Sequence, residues 1–215
     1  MIKAILFDMD GTLFDTERLY YRCWKKVAKE NGYDIPDELL NKMRGASLKE
    51  GSRHFNEYFN YEKDYFEERA KRQLYVKEEI NKNGVPFKKG LVELFKFLKE
   101  NGIKIALATS TIKEMAERYI EISGLSEYFD AIVTGDMIEH GKPDPDIFLL
   151  AAKNVGENIE NCAVAEDSLN GIIAGRRSGA KVFFIPDLSP VSLEEKTKYV
   201  DKEFESLDDI IGYLA

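Results

Sequence analysis

The chain has 215 residues, 44% of them hydrophobic and 33% charged, with 13 Phe, 11 Tyr and a net charge of -8. That is enough apolar material for a sizeable core, and it excludes a disordered chain. The acidic balance disfavours a basic surface for nucleic acid or anionic membrane.

In chain order, residues 2–7 form an apolar run that stops at Asp8, as a strand buried on both faces would. No signal peptide or membrane span is expected, and the cytoplasm is the expected compartment. Residues 16–83 show helical periodicity and no convincing strand. Asn31-Gly32 closes one helix, Pro36 opens another and Gly45 interrupts the next. Residues 62–83 read as a long charged helix with Phe66, Ala70, Leu74 and Tyr75 along one side. Beyond Pro86 strand and helix alternate. Leu91, Leu94, Phe95 and Leu98 make a helix stripe that Asn101-Gly102 ends. Strands are expected at 103–108, 131–134, 162–165 and 182–185, with helices between them, and 187–200 as a polar excursion before a final helix. The expected fold is α/β: a doubly wound parallel sheet built from 1–15 and 84–215, with an all-helical cap inserted at 16–83. Cys23 and Cys162 have no metal-type spacing and are expected as buried thiols. Trp24 and its neighbouring tyrosines are expected in the cap core.

Ligands of open parallel sheets bind beyond the carboxyl ends of the strands. The residues there are Asp8 and Asp10, then Thr109 and Ser110, then Lys142, then Glu166 and Asp167. Acidic groups at two ends, and donors with a cation at the others, suit a metal plus a phosphoryl group. A carboxylate attacks a dianionic phosphate poorly because like charges repel, and Mg2+ shared by both partners removes most of that repulsion. Asp10, two residues from Asp8, can move a proton to the leaving oxygen, and Gly11 allows a tight turn. Thr109 and Ser110 precede a helix and supply a hydroxyl and backbone N–H groups for an anion, although either also suits an N-cap. Lys142 sits before Pro143-Asp144-Pro145, with Asp144 as N-cap and Pro145 at N1 of the next helix, which places it in a stiff loop at the sheet's edge. Asp167 can complete a metal shell, Glu166 can hold one of the metal's waters, and Ser168 can cap the following helix.

These residues resemble the haloacid dehalogenase superfamily of phosphotransferases. The Asp8-Met9-Asp10-Gly11-Thr12-Leu13-Phe14-Asp15 run looks like its first motif; Thr109, Lys142 and Glu166-Asp167-Ser168 match the other three. Within it the chain looks closest to the beta-phosphoglucomutase-like and sugar-phosphatase branch. The resemblance implies that Asp8 is the nucleophile and a Mg2+ ligand. Asp10 would be the acid and base, with its carbonyl on the metal, and Asp167 a further ligand supported by Glu166. Thr109, the Ser110 amide and Lys142 would hold the phosphoryl group. Arg44-Gly45-Ala46-Ser47 resembles the cap loop that faces the substrate, although a plain helix-to-helix turn fits it equally.

Beta-phosphoglucomutases carry a gating histidine where this chain has Tyr20, and an arginine where it has Leu48. Their phosphate-gripping lysine falls near Gln73. Arg44, Lys49 or Arg72 are candidate substitutes. The expected activity is therefore Mg2+-dependent hydrolysis of a small phosphorylated metabolite such as a sugar phosphate. A sugar phosphomutase and a non-catalytic binder of phosphorylated metabolites are the alternatives. No nucleic-acid, membrane or protein partner is inferred. His54 and His140 are expected in solvated or packing roles.

Overall fold

A computed structural model describes residues 1–44, 46 and 48–215. The chain divides into two compact units: Met1–Asp15 with Phe87–Ala215, and Thr16–Pro86. The second boundary lies three residues beyond the expected 83/84 junction.

The larger unit carries six parallel strands: β1 (Ala4–Phe7), β2 (Lys104–Thr109), β3 (Ala131–Thr134), β4 (Cys162–Glu166), β5 (Lys181–Phe184) and β6 (Lys202–Glu203), in the order β3-β2-β1-β4-β5-β6. Alternation along each strand sends side chains to two faces. On one face Ala4, Leu6, Ala106, Ala108, Val133 and Val164 pack with Ile147, Phe148 and Ala151 of α7 (Asp146–Asn154) and Ala174 of α8 (Leu169–Ser178). On the other, Phe7 meets Phe95 of α5 (Leu91–Glu100), and Phe183 meets Tyr213 of α10 (Asp209–Leu214). Apolar burial on both faces explains why the strands read as near-continuous hydrophobic runs. Strand order reverses between β1 and β4, which is where ligands of such sheets sit.

The smaller unit holds α1 (Thr16–Glu30), α2 (Asp37–Met43), α3 (Leu48–Tyr58) and α4 (Tyr65–Asn83). Trp24 lies 5.6 Å from Phe55 and 5.9 Å from Tyr65, in a core with Ile35, Leu39 and Leu40. The stripe expected on α4 is wrong. Its buried positions are Tyr65, Glu68, Arg72, Val76 and Ile80, while Phe66 and Leu74 are exposed. Asp64 caps the helix by accepting from the Phe66 and Glu67 amides. With that start, the inward face carries two charged residues and is invisible to a hydrophobic-only reading. Glu68 accepts from Asn31 Nδ2 at 2.6 Å and Tyr33 Oη at 2.8 Å; the Arg72 guanidinium lies over the Tyr20 ring, 4.6 Å from its centroid.

Two further expectations fail. The polar excursion contains α9 (Leu193–Tyr199), opened by a capping box between Ser192 and Glu195, and leads into β6. Pro145, and not Asp144, is the N-cap of α7; Asp144 instead lies 3.5 Å from Arg177. Cys23 and Cys162 are buried free thiols. Among the described residues no helix is long and apolar enough to cross a membrane.

Candidate active site

Asp8 follows β1 directly, and its amide donates to Ala165 O at 3.0 Å, which extends the β1–β4 pairing to the rim of the sheet. The next turn is pinned from inside. Met9, Leu13 and Phe14 are fully buried, and the Leu13 and Phe14 amides both donate to Met9 O at 3.0 Å. Gly11 adopts φ +87, a conformation that costs other residues strain. A Cβ there would also lie 2.4 Å from Asp167 Oδ2. The Asp167 carboxylate therefore rests against the backbone of the Asp8–Asp10 turn, and Thr12 Oγ1 donates to its other oxygen at 3.1 Å.

Lys142 joins three strand ends. Its Nζ donates to Asp8 Oδ1 at 2.5 Å, Glu166 Oε1 at 2.7 Å and Ala108 O at 3.0 Å. The sheet's edge was expected; those three oxygens draw the amine instead over β1, β2 and β4, with its side chain only 6% exposed. Glu166 is nearly inaccessible. Its second oxygen accepts from the Asp167 amide, the Ser168 amide and Ser168 Oγ, while Ser168 caps α8 by accepting from Gly171 N. A Cβ at Gly171 would fall 1.8 Å from the Glu166 carboxyl carbon, so only glycine leaves room for that carboxylate.

Burial pushes the Asp8 carboxyl up to about 8; Lys142 opposes this, while Glu166 and Asp10 add to it. Burial also works against the Lys142 charge, but Asp8 and Glu166 outweigh it and raise its pKa. The pair is a secure ammonium beside a reluctant carboxylate. Sharing resolves this, because one ammonium serves two buried carboxylates and leaves negative charge uncompensated. A further cation fits that imbalance. Among the described residues no group of three or more His, Cys, Asp or Glu side chains forms a metal cage. Two carboxylates with a backbone carbonyl and waters are the sparser oxygen set that a small hard cation accepts.

On the β2 side, Thr109 is buried and its Oγ1 accepts from the Thr111 amide at 3.1 Å; Ser110 is exposed. Thr111 Oγ1 donates to Asp10 Oδ2 at 2.8 Å. Thr12, Thr111 and Gly171 were not singled out from sequence, because a hydroxyl or a missing Cβ becomes informative only when its partner is located. Arg44, in the helical unit, is engaged with Glu17 Oε2 at 3.4 Å and Asn41 Oδ1 at 2.9 Å. Gly45 and Ser47 lie outside the described residues. His140 is exposed and faces Asp146 at 3.1 Å.

The family model for haloacid dehalogenase-like hydrolases matches residues 2–179. The chain belongs to the haloacid dehalogenase-like hydrolases. It is 35% identical over 178 residues to a phosphorylated carbohydrates phosphatase of Thermotoga maritima, covering 83% of this chain and 82% of that protein. It is 30% identical over 187 residues to the beta-phosphoglucomutase of Bacillus subtilis, covering 83% and 80%. Among solved structures, that of a putative beta-phosphoglucomutase from Thermotoga maritima superposes with a TM-score of 0.82 at 28% identity, covering 99% of this chain and 98% of that one. The resemblance to the beta-phosphoglucomutase-like and sugar-phosphatase branch thus holds along most of the sequence.

Proposed function

We propose that this hydrolase is a Mg2+-dependent phosphatase of small phosphorylated carbohydrates and that it works through an aspartyl-phosphate on Asp8. The observation that carries the reading is the Lys142 amine bonded at once to Asp8 and Glu166, with Asp167 packed against the same turn. Asp8, Asp167 and the Asp10 carbonyl would hold Mg2+, which supplies positive charge between an anionic nucleophile and an anionic ester. An Asp8 oxygen bonds to phosphorus as the ester P–O bond breaks. Lys142, Thr109 and the Ser110 amide steady the phosphoryl oxygens, and the Asp10 carboxyl gives its proton to the leaving alkoxide. Asp10 then takes a proton from the water that attacks phosphorus of the Asp8 acyl phosphate; the Asp8 O–P bond breaks, releasing phosphate and restoring the carboxylate.

Hydrolysis is favoured over mutase chemistry by two of the helical unit's three candidate cations, the third, Lys49, being exposed. A mutase must grip a second phosphate, yet Arg44 is engaged with Glu17 and Asn41, and Arg72 is buried over Tyr20 and Trp24. The test is a panel of glucose 1-phosphate, glucose 6-phosphate, fructose 6-phosphate, ribose 5-phosphate and 4-nitrophenyl phosphate, assayed with Mg2+ and with EDTA. Free phosphate that depends on Mg2+ is expected. Conversion of glucose 1-phosphate to glucose 6-phosphate in the presence of glucose 1,6-bisphosphate would assign the mutase instead. Binding of these esters without turnover would assign a non-catalytic receptor.

A further inference from the structure

Thr111 has no part in the chemistry described so far, yet its hydroxyl donates to Asp10 Oδ2 at 2.8 Å. Its backbone is fixed from both sides: its amide donates to Thr109 Oγ1 at 3.1 Å, and its carbonyl accepts from Gly135 N at 3.1 Å. Gly135 in turn packs so closely that a Cβ would sit 2.4 Å from Ser110 O. Thr134 Oγ1 and the Lys113 amide both donate to Asp136 Oδ1, at 2.6 and 3.1 Å, so the β2 and β3 loops are stitched together. The Thr111 hydroxyl is therefore delivered to Asp10 by a braced backbone, half-buried at the end of β2.

We infer that Thr111 is a positioning residue for Asp10: by holding Oδ2 it helps set the carboxyl rotation with which the acid meets the leaving oxygen. This rests on the phosphatase reading above and adds a residue to it. A carboxyl group turns freely about Cβ–Cγ unless one oxygen is bound, and general acid catalysis requires the acidic proton within hydrogen-bond reach of its target. In the step it governs, an Asp8 oxygen bonds to phosphorus as the ester P–O bond breaks, the electron pair of that bond stays on the leaving oxygen, and the Asp10 proton moves to that oxygen. Thr111 exchanges no proton. The same braced segment carries Thr109 and the Ser110 amide, so the acid is placed by the element that would hold the phosphoryl group.

Leaving-group chemistry separates this role from a structural one. A sugar alkoxide needs the proton as it departs, whereas 4-nitrophenolate is stable without one. The parameter read is kcat/KM, which reports events up to departure of the leaving group. Thr111→Val is expected to lower kcat/KM about thirtyfold for the sugar phosphate that the wild type hydrolyses fastest, part of the 10²–10⁴ that a positioned acid supplies. For 4-nitrophenyl phosphate it should stay within about threefold, and Thr111→Ser should restore the sugar phosphate rate, because the hydroxyl is kept. The ratio of the two substrates is internal to one preparation, so loss of folded protein cancels; Thr111→Ala repeats the removal with less bulk. An equal fall on both substrates, or no fall on either, overturns the inference. A wild type that hydrolyses neither ester with Mg2+ overturns the phosphatase reading itself.

Discussion

In the sheet-bearing unit, Asp8 and Glu166, at the ends of β1 and β4, are buried against Lys142. In the helical unit the buried carboxylate of Glu68 is held mainly by neutral donors, Asn31 and Tyr33, with Lys71 at its rim. Burial raises both carboxyls, but the outcomes diverge. The donors on Glu68 bring it below its ordinary value, while Asp8 stays up at about 8. A buried charge that is fully hydrogen-bonded builds a fold; one left short of compensation is available for chemistry. The contrast marks which acidic residues are worth perturbing.

The largest effect is expected at the uncompensated end. Asp8→Asn should lower turnover more than about a hundredfold, since a covalent nucleophile matters at least as much as a general acid. It should also change the response to pH. The Asp8 carboxyl titrates higher in the fold than its ordinary value of 3.8. The native state therefore binds more protons between those two values, and stability in EDTA falls as pH rises from about 4 to about 8. Denaturant titrations at pH 5 and 8 should show that fall in the wild type and a smaller one in Asp8→Asn.

Lys142→Ala should come next, at roughly a hundredfold in kcat/KM, as for loss of one preorganised donor to the transition state. It should also cost about 3 kcal/mol of stability, because Glu166 is left as an unpaired buried charge. Gly171→Ala sharpens the comparison without touching a charge. The added methyl displaces Glu166 and, through it, Lys142, with an expected tenfold loss of activity and a stability loss of about 2 kcal/mol. Thermal unfolding and phosphate release on the same samples measure both. The smallest kinetic effect belongs to the helical unit: Glu68→Ala strands the Asn31 and Tyr33 donors and should cost about 2 kcal/mol. It should leave 4-nitrophenyl phosphate turnover within about threefold, since none of its partners is among the residues proposed to hold the phosphoryl group. A Glu68 variant as inactive as the Lys142 variant would erase the distinction between the two regions.

The same contrast governs what could be read before the fold was known. Strand ends were legible because β1, β2 and β4 are largely apolar runs that break at polar residues, and the parallel topology brings those breaks to one rim. The inward face of α4 was misread because Glu68 is hydrogen-bonded by groups far away in sequence and Arg72 lies over the rings of Tyr20 and Trp24, which no periodicity of apolar residues records. β6 escaped because two exposed residues, Lys202 and Glu203, pair by backbone alone. Thr111 and Gly171 escaped for a different reason. Thr111 matters through a contact to Asp10 that exists only once β1 and β2 are adjacent, and Gly171 through the turn from β4 into α8, which folds the Glu166 carboxyl onto it.

The covalent role of Asp8 is tested most directly by trapping. The protein is mixed with a turned-over sugar phosphate and Mg2+, quenched in the steady state, reduced with borohydride and digested for mass spectrometry. An aspartyl-phosphate is reduced to homoserine, and the account predicts homoserine at position 8. Homoserine at any other position, or rapid turnover in an Asp8→Asn variant, would contradict it.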